Sequence, residues 1–127
     1  MLKNFDEWNQ NKKMVQQKVG KFYHARDVWW CSLGVNVSYE HDGEGLQFER
    51  PILILRGLGK GTCLAIPLTT SDSKHPMRVP VGNIDGKPAS AVISQIRVID
   101  TRRLINKICY LDEVVYETTR KAVRNMI

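Results

Sequence analysis

Two short apolar runs carry polar groups at matching ends. RPILIL, Arg50 to Leu55, opens on a guanidinium, and IPLTT, Ile66 to Thr70, closes on two hydroxyls. If the runs are successive strands of a hairpin, its open end brings Arg50 beside Thr69 and Thr70. A permanently charged planar donor next to a hydroxyl donor is equipment for holding a phosphate. Upstream, Glu40 and His41 are two groups able to move protons near neutral pH. They border the Gly-interrupted segment HDGEGLQFE, which reads as a loop. Gln95 and Arg97, in SQIRVID, alternate with Ile96 and Val98, so along one strand they would share a polar face with Arg50. Taken singly, each feature has an ordinary explanation: an Arg at a strand entry, threonines at a turn, a solvated His. Their company makes them candidates.

The elements that must position these groups follow from local chemistry. Pro51 biases Arg50 to extended backbone and belongs at a strand start or edge, where no amide donor is needed. Val28 to Leu33, Arg50 to Leu55 and Thr62 to Leu68 read as strands, with Leu58 to Gly61 (LGKG) connecting the last two. Met77 to Val81 and Ala89 to Val98 supply further strands around a turn at Asn83 to Lys87. The unbroken apolar run ILIL implies strands buried on both faces or wrapped in a small barrel. Thr101 to Leu104 fits a single turn capped by Asp100 or Thr101, and Lys107 to Tyr110 a short strand. Asp112 is a good N-cap for a terminal helix lined by Val115, Thr119, Ala122, Val123 and Met126. At the other end, Phe5, Trp8, Val15 and Val19 recur at helical spacing from Lys3 to Val19, with the stem of Lys12 in the stripe and Gly20 as the stop. A basic amphipathic stripe can lie on a membrane or on RNA, but more often docks on the domain behind it, and docking is expected here. The sum is an α+β chain built on a small antiparallel barrel.

At 127 residues the chain is long enough for one domain with a core and too short for two ordinary ones. Its formal charge of +6 favours a polyanionic partner. The charge is uneven: residues 1–21 set five lysines against Asp6 and Glu7, and the chain from Arg50 onward is again basic. Between them, residues 22–49 set only Arg26 against Asp27, Glu40, Asp42, Glu44 and Glu49. Cys31, Cys63 and Cys109 are far apart, odd in number and without CxxC spacing, which supports neither a disulfide framework nor a zinc site. With no signal-length apolar run or membrane span, a cytoplasmic protein is expected.

DVWWCSLG (Asp27 to Gly34), the Glu40 region, RPILIL, IPLTT, SQIRVIDTRRL (Ser94 to Leu104) and the LDE helix start follow one another in this order. The ordered set resembles the MazF/PemK family of toxin–antitoxin endoribonucleases. The resemblance implies an SH3-like barrel of the PemK/CcdB type with a C-terminal helix over residues 22–127, preceded by a helical extension at residues 1–21. It implies a homodimer that cuts single-stranded RNA without a metal or other cofactor, and an acidic antitoxin that covers its RNA groove. It makes Arg50 and Thr69 the catalytic pair, with Thr70, Gln95 and Arg97 as candidate substrate contacts and Glu40 or His41 as the candidate base. The expected reaction is attack by the substrate's 2′-hydroxyl, leaving a 2′,3′-cyclic phosphate and a 5′-hydroxyl. The chain departs from the family where it reads SYEH, Ser38 to His41, in place of GSEQ, and in the acidic loop 41–49 that follows. Ser94 also stands where one branch has an Asp. Two other readings share the fold: a noncatalytic RNA-binding module, and a CcdB-like gyrase poison, whose Trp-bearing tail is replaced here by RNMI.

Overall fold

The computed structural model describes residues 22–33, 49–71 and 77–127. The N-terminal helix expected at Lys3 to Val19 lies outside the described residues. Within them the order is β1 (Asp27–Ser32), β2 (Glu49–Gly59), β3 (Thr62–Thr69), β4 (Arg78–Ile84), β5 (Lys87–Val92), a 3-10 turn (Ile93–Gln95) and β6 (Arg97–Asp100). A second 3-10 turn (Thr101–Arg103), β7 (Leu104–Tyr110) and the helix α1 (Glu113–Met126) complete it. Every pairing is antiparallel, in the order β4-β5-β3-β2-β1-β7, with β6 also on β3. The sheet curls into a half-closed barrel.

Alternation along the central strands feeds two cores. Val28, Leu53, Leu55, Ile66 and Leu68 face the side covered by α1, whereas Trp29, Cys31, Ile52, Ile54 and Ala65 face the other. ILIL is therefore apolar throughout because both of its faces are buried. A buried carboxylate ties the start of β1 in place. Asp27 accepts from the Trp29 indole at 3.2 Å and the His24 amide at 2.9 Å, and pairs with Lys107 of β7 at 3.2 Å.

β2 runs past Leu55 to Gly59 before the two-residue turn Lys60–Gly61, where both central residues have positive φ, 52° and 78°. That is the backbone a tight hairpin of right-handed twist demands, and it fits LGKG. At the chain's end, Asp100 caps the second 3-10 turn through the Arg102 amide at 2.8 Å, and Asp112 caps α1 through Val114 at 3.0 Å. β7 is longer than expected, beginning at Leu104.

Ala89 to Val98 is not one strand, and this corrects the sequence reading. Three steps along β3, from Ala65 to Leu68, face six steps from Ala91 to Arg97. The surplus is taken up as the 3-10 turn, fixed by the Ile93 amide on Met77 O at 2.9 Å. Because the surplus is odd, it carries the buried side chains to the other face of the sheet: Ala89 and Ala91 enter the first core and Ile99 the second, while Val98 is 57% exposed.

Candidate functional site

The ladder between β2 and β3 includes Ile52↔Pro67, and Arg50 and Thr69 stand beyond that pair at the hairpin's open end. On its other side Arg50 is partnered by Cys31 of β1, and Thr69 by Ser90 of β5, so both residues remain inside the sheet. The Arg50 guanidinium is half-buried and donates from Nη2 to Leu68 O at 3.1 Å. One edge of the fork is thereby fixed, which orients the remaining N–H groups. The Thr69 hydroxyl oxygen accepts from the Ser71 amide at 3.2 Å. With that lone pair engaged, its own O–H is free to donate to an arriving oxygen. Arg50 and Thr69 both line a groove of about 350 Å³, together with Trp30, Thr70, Asp85 and Lys87.

The groove's lining carries Glu49 and Asp85 as well as Arg50 and Lys87, but the charges that act most on Arg50 are like charges. Burial, and behind it the like charges of Arg78 on β4 and Arg97 on β6, pull Arg50 below the ordinary guanidinium range. Among the described residues no carboxylate forms an ion pair with Arg50. Among the described residues its charge is therefore poorly satisfied, which suits it to an anion. The arrangement can bind a phosphate and stabilise negative charge that grows on it.

The sequence-derived candidates divide into three groups. Arg50, Thr69 and Thr70 come together in the groove, as the hairpin reading required. Arg97 acts on Arg50 through its charge but from β6, whereas Gln95 sits exposed in the 3-10 turn and does not border the groove. Gln95 and Arg97 do not alternate with Ile96 and Val98 along one strand or share a polar face with Arg50, because Gln95 ends the 3-10 turn and the strand begins only at Arg97. Glu40 and His41 lie outside the described residues. Sequence reasoning missed Arg78, Lys87 and Trp30. Trp30 carried a local signal, as an aromatic two residues from a polar strand end, but Arg78 becomes relevant only through the β4-β5-β3 order.

Comparison with known proteins gives a consistent picture. Residues 24–127 match the model of a family described as PemK-like, MazF-like toxin of type II toxin-antitoxin system. No curated protein matches the chain. Among solved structures, MazF from Deinococcus radiodurans superposes with a TM-score of 0.66 at 18% identity, over 84% of this chain and 96% of that one. The Mycobacterium tuberculosis toxin MazF-mt6 gives 0.59 at 21% identity, over 79% and 94%. An endoribonuclease from Mycobacterial species, in complex with its cognate antitoxin, gives 0.64 at 18% identity, over 82% and 93%. These structures share the fold.

Proposed function

The chain belongs to the PemK-like, MazF-like toxin family of type II toxin–antitoxin systems, and from that premise we propose that it is an endoribonuclease that cuts single-stranded RNA without a metal. The observation that carries the reading is the half-buried Arg50 guanidinium, braced on Leu68 O at 3.1 Å in one groove with Thr69. The substrate's 2′-oxygen forms a bond to phosphorus as the bond from phosphorus to the 5′-oxygen breaks. The 2′-hydroxyl proton leaves to a base, and the departing 5′-oxygen takes up a proton. The products are a 2′,3′-cyclic phosphate and a 5′-hydroxyl.

Arg50 pairs with the nonbridging oxygens as they gain charge, and Thr69 donates to one of them. Losing one such donor costs roughly 3 to 4 kcal/mol of transition-state stabilisation. Glu40 or His41 supplies the base, and Thr70 and Arg97 hold flanking parts of the strand. The partners in this reading are an acidic antitoxin, which offers the same cations a competing polyanion, and a second copy of the chain, all in the cytoplasm. The family relationship and the complexes solved for similar folds support an antitoxin partner.

The test compares an RNA oligonucleotide with the same strand carrying 2′-deoxy sugars, both in EDTA, with the new ends sequenced. Cleavage of the RNA alone, to cyclic phosphate and 5′-hydroxyl ends, is expected. Cleavage of the deoxy strand overturns the 2′-hydroxyl mechanism, and abolition by EDTA overturns the absence of a metal.

A further inference from the structure

Beside the Arg50 groove lies a second, more open groove of about 560 Å³. The two meet at Thr70 and Ala89, one residue from the Thr69 hydroxyl. Their linings differ in kind. The first carries Arg50, Lys87, Glu49 and Asp85; the second carries no charged side chain among the described residues. Its polar groups are Thr70, Ser71, Asn83 and Ser90, and Pro80 and Pro88 form apolar walls. A second phosphate would need cations, which the described lining does not supply. An amide and hydroxyls between flat apolar rings suit a neutral heterocycle.

The fold builds this lining deliberately at the β4–β5 hairpin. Pro80 pairs with Ser90, and after a bulge Gly82 pairs with Ala89 and Asn83 with Pro88. Gly82 has φ +94, and a Cβ added there would meet nothing within 4 Å, so it is the bulge's backbone and not crowding that calls for glycine. The bulge lets Val81 turn into the core while Asn83 stays exposed. Ser90 is the direct cross-strand partner of Thr69, which places their hydroxyls side by side on one face. Neither the Asn83 amide nor the Ser90 hydroxyl has a hydrogen-bond partner among the described residues.

We propose that this second groove is a nucleobase subsite, in which Asn83 and Ser90 read the edge of the base next to the phosphate held by Arg50 and Thr69. The inference rests on the RNA-cleaving function proposed above and names what selects the cutting position. Asn83 offers one donor and one acceptor to a base edge that presents the complementary pair, as an unpaired base in a single strand does. An Asp in its place offers acceptors only and selects a different edge.

The full chain and its Asn83→Ala, Asn83→Asp and Ser90→Ala variants are incubated with single-stranded RNA of randomised sequence, and the new 5′-hydroxyl ends are sequenced. Circular dichroism checks that each variant is folded, and two independent side chains guard against one that is not. At one position flanking the cut, the ratio of cleavage at the best base to cleavage at the worst falls about ten-fold in Asn83→Ala. In Asn83→Asp the leading base changes. An identical base profile in all four proteins overturns the subsite even if RNA is cut. If the parent cuts no RNA, the proposed function fails and retention of the same pool on immobilised protein decides the subsite. One base enriched by the parent and lost with Asn83→Ala then sustains it, and a flat pool overturns it.

Discussion

Arg50 is a cation held among cations. Burial, Arg78 and Arg97 all disfavour its charge in the free protein, so an arriving phosphate relieves a cost that the fold has already imposed. In the proposed reaction the same lowering favours release of its proton to the departing 5′-oxygen, although a guanidinium stays charged at neutral pH and is a poor base. Orientation matters as much as charge, because the Leu68 carbonyl fixes one arm of the fork. Arg50→Lys keeps the charge and loses the planar fork. We expect single-turnover cleavage to slow about 100-fold, with a much smaller change in affinity for uncleavable 2′-deoxy RNA measured by anisotropy. Parent-like cleavage by the Lys variant would mean that a point charge suffices. Arg50 and Thr69 were legible in the sequence because Pro51 and Pro67 mark the two strands and their matching ends. Arg78 was not, since nothing in the run MRVP tells that β5 brings β4 round to the far side of β3.

At the scale of elements, the hairpin that carries the site is held from behind by α1. The helix was readable from Asp112 and its apolar stripe, but its hydrogen bond to the hairpin was not: Tyr116 is 6% exposed and donates to Leu55 O at 2.6 Å. Leu55 lies in β2, five residues from Arg50, where the register with β3 shifts between Ile54 and Arg56. A bulge leaves a carbonyl without a strand partner, and the tyrosine hydroxyl supplies one. Tyr116→Phe removes the donor and strands that buried carbonyl, so we expect a loss of about 1 to 3 kcal/mol in urea unfolding, with unchanged denaturant slope. A loss below about 0.5 kcal/mol would mean that another group satisfies Leu55. The same kind of irregularity explains why Ala89 to Val98 misled. Composition and alternation report a strand; they do not report that three additional residues must be absorbed beside β3, and so they assigned Gln95 and Arg97 to one face. Ideal stretches of strand were legible, and the bulges that aim the side chains of the site were not.

For the molecule as a whole, the two-sided sheet has an electrostatic consequence in its second core, on the strands that also carry the groove. Packing both faces of β1, β2 and β3 buries Cys31 and Cys63 completely in the second core cluster. Burial is the main cause that pushes both thiols up to about 11 from an ordinary 9.0, with Cys63 adding to the effect on Cys31. Burial likewise raises Cys109, Tyr23 and Tyr116. All these groups are neutral when protonated, so the fold favours the proton on each. Between pH 9 and 11 the unfolded chain has released thiol protons that the native state retains, and stability therefore falls as pH rises through that window. At pH 10 the loss is roughly 1 kcal/mol per buried thiol. The urea midpoint should accordingly hold steady from pH 7 to 8 and drop steadily above 9. A Cys31→Ala, Cys63→Ala double variant starts from a lower midpoint, because two buried side chains are truncated, yet declines less steeply with pH. The slope carries the argument, since a packing defect alone displaces the whole curve without flattening it. Equal slopes in the parent and the double variant would assign the alkaline loss to the tyrosines and the surface charge instead of the sulfur-lined core.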